Sequence, residues 1–308
     1  MMELANPFPP SVRTIGVFAP AGIPEPARFE RGLARLRGWG LELVLGCPRQ
    51  PERFLSAPDA VRAAALNELM HQAQIDLLLA ARGGYGCGRI LDRVDFGALR
   101  RRGIPLIGYS DISALHAVAF GQGSWVHVAG PMVCNALARE PVDADEAGRL
   151  GAVLESFRQV LAGEAITVTA SLRTLRAGTA AGRLLPTNLS VLASLVGTPF
   201  LPSLAGAILV LEDVGEAAYR VDRYLQQLQQ AGCLRQLGGL VLGQFSEGED
   251  AAWLPEVFAD IATQVNGPVV AGLEFGHGFP SLSLPVGRPC CLTATATGAL
   301  LEIPAALA

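Results

Sequence analysis

Three side chains of this 308-residue chain have the types and settings that acyl-transfer chemistry requires. Ser110 stands in Gly108-Tyr109-Ser110-Asp111, after an apolar run at 104–107 and before a helical segment beginning near Ile112. A serine on a sharp strand-to-helix turn exposes its hydroxyl, and the free N–H groups at the helix start can receive a developing oxyanion. The sequence matches only half of Gly-x-Ser-x-Gly, and Ser or Asp before a helix also serves as a plain N-cap. Among the four histidines, His277 lies in Phe275-Gly276-His277-Gly278-Phe279-Pro280, an irregular stretch with glycine on both sides. Such a loop either presents the imidazole into a cleft or leaves it solvated. His71 reads as a surface helix residue and His116 as packing in the helix after Ser110. His127, in the strand-like Trp125-Val126-His127-Val128, fits core or site. The apolar run 207–211 ends in Glu212-Asp213, with Glu216 close behind. One of these acids could hold the histidine tautomer whose Nε2 is free to accept a proton, and another could cap the helix that follows.

Other chemistries are excluded or weakened. All 24 basic residues are arginine, so there is no P-loop lysine, no Schiff-base lysine and no Ser-Lys dyad. A net charge of −4 and a pI near 5.6 argue against nucleic acid as a partner. The histidines and cysteines lack ligand spacing, so no metal is expected, and no other cofactor is called for. The cluster Gly83-Gly84-Tyr85-Gly86 lacks the order of a dinucleotide fingerprint and is better suited to bringing a backbone N–H against a reacting carbonyl. Cys87, in the same stretch, is a rival nucleophile. The six cysteines show no Cys-x-x-Cys and read as reduced thiols. The first residues make a poor secretory signal, and no run approaches the roughly 18 apolar residues of a membrane span, so the expected location is cytoplasmic.

The elements that must position these residues alternate in the first half. Strand-like runs at 14–18, 41–45, 76–80 and 104–107 are separated by helical segments at 29–37, 57–74 and 89–99, with a further helix at 112–120. That order implies an α/β fold with a doubly wound parallel sheet whose ligands bind at the carboxyl ends of the strands. Residues 139–170 turn more polar, hold a helix near 150–161 and are assigned to the connection between an N-terminal unit, 1–138, and a C-terminal unit, 171–308. The second half shows short strands at 166–169, 207–211, 240–242 and 292–297. One amphipathic helix runs over 218–230, with Val221, Tyr224, Leu225 and Leu228 on one face. It reads as a smaller, β-rich mixed α/β domain.

Taken together, Ala-Arg-Gly-Gly-Tyr-Gly-Cys-Gly-Arg-Ile-Leu (81–91), Ile-Gly-Tyr-Ser-Asp-Ile-Ser (107–113), Gly-Pro-Met (130–132), Leu-Glu-Asp-Val-Gly-Glu (211–216) with Tyr-Arg-Val-Asp-Arg (219–223), and Gly-His-Gly (276–278) resemble the L,D-carboxypeptidases of the murein tetrapeptide type. That family includes immunity peptidases acting on the antibiotic microcin C. The resemblance spans nearly the whole chain. It implies a Ser110-Glu212-His277 triad, an oxyanion hole from the backbone N–H groups of Gly84 and Asp111, and substrate contacts at Tyr85 and Asn188. It further implies a glutamine-amidotransferase-like N-terminal domain, a site between two domains, and a homodimer. The implied reaction is release of the terminal D-alanine from L-Ala-D-Glu-meso-diaminopimelate-D-Ala in cytoplasmic cell-wall recycling, with no cofactor. The alternatives are a microcin C-type immunity peptidase cleaving a peptidyl-nucleotide and a non-catalytic ligand-binding protein on the same scaffold. The chain departs from the family's usual Gly-Gly-Asn-Leu, having Pro186-Thr187 before Asn188-Leu189. Proline is expected to reroute that loop, remove an N–H and alter substrate preference. With lysine absent, an arginine is expected to pair with the substrate carboxylate.

Overall fold

The computed structural model describes residues 4–306 apart from Trp125, Ala170 and Glu247. The Trp125 end of the strand expected around His127 thus lies outside the described residues.

The first sheet is built from β1 (Thr14–Phe18), β2 (Glu42–Gly46), β3 (Leu77–Ala80), β4 (Leu106–Ile107) and β5 (His127–Ala129), in the order β5-β4-β3-β1-β2 and all parallel. Every residue of β1, β3 and β4 is buried, as expected of strands covered on both faces. One face packs Leu78, Leu106 and Phe18 against α2 (Asp59–His71), α3 (Phe96–Arg102) and α4 (Ser113–Gly121). The other packs Ile15, Val17, Leu79 and Ile107 against α1 (Pro26–Gly38) and α5 (Ala144–Leu161) through Leu33, Leu36, Leu150, Leu154 and Phe157. Each such aliphatic side chain contributes roughly 1.5–3 kcal/mol by leaving water. Helix α5, within the segment assigned to the connection, therefore closes the first sheet.

The second sheet begins with β6 (Ile166–Val168), β7 (Arg173–Arg176) and β8 (Gly178–Asn188). After α6 (Leu189–Ser194) come β9 (Ile208–Val214), α7 (Ala218–Gln230), β10 (Gly239–Ser246), α8 (Leu254–Ala262) and β11 (Val269–Ala271). Strand β12 (Leu284–Val286) leaves this sheet and pairs antiparallel with β5 at the edge of the first; β13 (Pro289–Thr295) and β14 (Gly298–Ile303) then complete the second. Its order is β6-β14-β13-β8-β9-β10-β11-β7, with β8 to β11 parallel and the remainder antiparallel. The fold is thus a parallel-sheet α/β domain followed by a β-rich mixed domain.

Two local expectations change. The helix expected over 89–99 is a single tight turn at Cys87–Arg89 followed, after a break, by α3. Asp95 stops the chain from continuing helically before it, since its side chain accepts the Ala98 N–H at 2.8 Å and starts the helix there. Residues 185–188 are not a rerouted loop but the end of β8, paired with 209–212 of β9. Leu184 and Asn188 send their N–H groups away from β9, to the Arg288 carbonyl and the Ser113 hydroxyl. Alternate residues of a strand share a side, so the missing N–H of Pro186 falls on the same outward side and costs the β8–β9 ladder nothing.

Candidate active site

The site lies where β3, β4 and β9 end. The segment after β4 turns so sharply that Ser110, a non-glycine residue, takes φ +63°. That left-handed conformation costs an L-residue energy and persists at functional turns. Gly83 makes it possible: a β-carbon there would lie 2.9 Å from Ser110 Cβ and 3.0 Å from its Oγ. The Asp111 carboxylate, buried beside Ser110, accepts the Cys87 N–H at 2.7 Å and so ties the glycine-rich loop to the serine turn. The far end of that loop is held by Arg62, fully buried, which donates to the carbonyls of Gly86 (3.0 Å) and Ala57 (3.0 Å).

Glu212 and Asp213 are residues of β9, one step beyond the run read from the sequence, and both are buried. Oε2 of Glu212, 1% exposed, lies 2.7 Å from Nδ1 of His277. Burial pushes the Glu212 carboxyl up from its ordinary range, and the imidazole works against that rise. With the carboxylate ionised, Nδ1 carries the proton and Nε2 is left as the acceptor. The loop around His277 passes so close to Glu212 that a β-carbon on Gly276 would sit 2.9 Å from Oε2, and Gly276 takes φ +144°. Gln244 steadies the loop by donating to the Pro280 carbonyl at 3.0 Å.

The His277 ring meets the edge of Tyr109, with centroids 5.0 Å apart. The Tyr109 hydroxyl accepts from Asn135 Nδ2 at 2.8 Å, and burial raises its pKa to about 12. A hollow of about 290 Å³ is lined by Ser110, Gly83, Gly84, Tyr109, Asn135 and His277, together with Arg28 and Arg82. It adjoins a cleft of about 390 Å³ that shares Arg28, Tyr109, Asn135 and His277 and extends to Arg139 and Phe279. The Ser110 hydroxyl makes no hydrogen bond among the described residues; such contacts commonly tighten only with substrate bound.

The family models match at both ends of this arrangement. Residues 15–130 match the LD-carboxypeptidase N-terminal domain and residues 181–292 the LD-carboxypeptidase C-terminal domain. The murein tetrapeptide carboxypeptidase of Pseudomonas aeruginosa is 34% identical over 90% of this chain and 92% of its own length. The chain belongs to the LD-carboxypeptidase family. The crystal structure of muramoyltetrapeptide carboxypeptidase from Oxalobacter formigenes superposes with a TM-score of 0.84 at 29% identity, covering 94% of this chain and 98% of that one. The wild-type microcin C7 self immunity protein has a TM-score of 0.85 at 22% identity, covering 99% of this chain and 100% of that one, a likeness of fold alone.

Within this LD-carboxypeptidase scaffold, Ser110, Gly84 and His277 border one hollow, and Glu212 sits behind the imidazole. Tyr85 is 54% exposed and faces a more open depression with Phe54, Ile23 and Arg82. Asn188, expected at the substrate, is buried and fully engaged. Its Nδ2 donates to Glu212 Oε1 (3.1 Å) and Asp213 Oδ1 (2.9 Å), while its Oδ1 accepts from Ser190 Oγ and the Val191 N–H. It supports the carboxylate from behind. Cys87 is fully buried, and burial pushes its thiol well above the ordinary range, the opposite of what activates a thiolate. His71 is exposed and 3.5 Å from Asp95, and His116 and His127 are buried in the core. Among the described residues no cluster of His, Cys, Asp and Glu is placed to hold a metal, all six cysteines are free, and no helix is long and apolar enough to cross a membrane. Sequence reasoning missed Asn135, which lies 26 residues beyond Tyr109 on an irregular stretch that carries no chemical signature.

Proposed function

We propose that the chain is a serine-type L,D-carboxypeptidase that releases the terminal D-alanine from the murein tetrapeptide, with Ser110 as nucleophile, His277 as base and Glu212 as the orienting carboxylate. The observation that carries this reading is the pairing of buried Glu212 with a half-buried His277 that lines the hollow Ser110 enters from its strained turn. Ser110 Oγ attacks the carbonyl of the penultimate residue while Nε2 of His277 takes its proton. The oxyanion is received by the N–H groups of Gly84 and Asp111, each worth roughly 3 kcal/mol of barrier. Collapse breaks the C–N bond, His277 protonates the departing D-alanine amine, and water then hydrolyses the ester with His277 again as base. Arg28 is suited to a substrate carboxylate: it lines both the hollow and the adjoining cleft, and its guanidinium makes no hydrogen bond or ion pair among the described residues.

On this reading the nucleophile belongs to residues 1–138 and the other two triad members to residues 171–308, so the reaction takes place at the seam. The murein substrate is supported by the Pseudomonas aeruginosa relative, whose name specifies it. Cytoplasmic residence is supported by the six free thiols; a homodimer rests on the family resemblance and is tested by sedimentation. The deciding experiment is mass spectrometry of products from L-Ala-D-Glu-meso-diaminopimelate-D-Ala with the wild type and Ser110→Ala, beside a peptidyl-nucleotide conjugate. Free D-alanine and tripeptide from the wild type alone are expected. Cleavage of only the conjugate would favour the immunity-peptidase alternative. Absence of labelling by a serine-directed phosphonate would favour a binding protein.

A further inference from the structure

Resting on that reading, the Gly83–Gly84 peptide must aim its N–H at the reacting carbonyl, yet Gly84 is exposed, takes φ +117° and belongs to no helix or strand. Its N–H makes no hydrogen bond among the described residues, so nothing orients it directly. The other end of the same peptide is held firmly. In a trans peptide the C=O and N–H point in opposite directions, so fixing one fixes the other. The Gly83 carbonyl accepts the Gly22 N–H at 3.2 Å and Arg82 Nε at 3.1 Å. The same guanidinium donates from Nη1 to the Ile23 carbonyl at 3.0 Å. Arg82 is thereby fixed between the loop after β1 and the loop after β3.

We infer that Arg82 is a positioning residue: its guanidinium clamps the Gly83 carbonyl and so holds the Gly84 N–H toward the site where the oxyanion forms. The planar fork explains the choice of side chain. Nε and Nη1 reach two carbonyls on different loops in one rigid geometry, which a single ammonium cannot reproduce. The clamp leaves the ground-state substrate alone and acts on the transition state, where oxyanion donors have their effect.

The experiment is steady-state kinetics of Arg82→Ala and Arg82→Lys on the tetrapeptide, with kcat and KM resolved separately. The expected result is a fall in kcat of about 100-fold with KM within about threefold of wild type, the pattern of a lost transition-state interaction. Partial recovery of Arg82→Ala by added guanidinium at millimolar concentration is expected, and none by ammonium. A raised KM with unchanged kcat would overturn the inference in favour of direct contact with the substrate carboxylate, and wild-type kinetics would overturn it outright. If Arg82→Ala does not fold by circular dichroism, Arg82→Lys and Arg82→Gln decide between the same outcomes. Ser110→Ala runs alongside. Activity retained there removes the underlying mechanism, whereas an inactive Ser110→Ala with unaffected Arg82 variants removes only the clamp.

Discussion

Nδ1 of His277 lies 2.7 Å from Oε2 of Glu212, and that carboxylate is almost wholly out of water. Burial raises the Glu212 carboxyl, so its ionised form costs folding stability at neutral pH while, on the proposed mechanism, it orients the base. Glu212→Gln keeps the shape and removes the charge. Its kcat is expected to fall about 10³–10⁴-fold, the scale of losing the orienting acid of a serine triad. A group whose folded pKa is raised contributes stability at low pH and loses it as pH rises. Glu212→Gln should therefore be at least as stable as wild type at pH 7–8, with its advantage shrinking on acidification. Kinetics and urea unfolding at two pH values check both halves; near-normal kcat would remove Glu212 from the mechanism.

Gly83 is a second point where function dictates residue type. Its absent β-carbon is the space into which Ser110 Cβ and Oγ fit, so Gly83→Ala must push the serine turn or the glycine-rich loop aside. Displacing an oxyanion donor or the nucleophile by a fraction of an ångström is expected to cost about 100-fold or more in kcat. The thermal midpoint should drop by only a few degrees, as for a local strain of about 1–2 kcal/mol. Wild-type phosphonate labelling rates in this variant would contradict the geometry.

Asn188 joins two buried carboxylates and caps α6 with the same side chain. Asn188→Ala loses a cap worth about 1 kcal/mol and leaves buried carboxylate oxygens short of a donor, for about 1–3 kcal/mol more. A destabilisation of about 2–4 kcal/mol is expected by chemical unfolding, together with reduced kcat because Glu212 is no longer held. An increase in KM alone would return Asn188 to the substrate contact that the sequence suggested.

That residue also marks what the sequence could and could not convey. The settings of Ser110, Glu212 and His277 were legible because each follows an apolar run or sits between glycines, whereas their proposed joint role came from the family resemblance; α7 was legible because its apolar positions recur at helical spacing. The loop expected around Asn188 is strand instead: Pro186 signals a loop, whereas the structure puts the missing N–H on the side of β8 that faces away from β9. Strand β12 could not be assigned to the first sheet either. Its pairing with β5 joins residues more than 150 positions apart, and no local periodicity encodes such a partner.

Cys87 provides a negative prediction. It lies beside Asp111 at the serine turn, but burial and the neighbouring carboxylate both keep the thiol protonated. Alkylation of the native enzyme with iodoacetamide should leave Cys87 unmodified, and Cys87→Ala should retain kcat within about threefold, with stability lowered by about 1 kcal/mol for the small cavity. Peptide mapping after alkylation and the kinetics of the variant test both. Inactivation tracking modification of Cys87 would reinstate the thiol as a nucleophile.

His116 and His127 are expected to set an acid limit on stability that is unconnected with the chemistry. His116 of α4 and His127 of β5 are buried with rings stacked 6.2 Å apart, and each uses one nitrogen on Leu106: His127 Nδ1 accepts its N–H at 3.1 Å, and His116 Nε2 donates to its carbonyl at 3.1 Å. Burial lowers His116 to about 4 and His127 to about 3, against about 6.5 for an unfolded histidine. The unfolded chain therefore binds these protons first. Stability should be complete above about pH 6.5, fall as pH drops through the window between 6.5 and the folded values, and level off below them, for at most about 3 kcal/mol at His116 and about 5 kcal/mol at His127. Because Leu106 lies in β4, the strand that leads to Ser110, unfolding driven by this pair should abolish activity and the parallel sheet together. Urea midpoints measured from pH 7.5 to 4 should fall steeply in wild type and less steeply in His116→Leu. An unchanged slope in that variant would show that other groups set the acid limit.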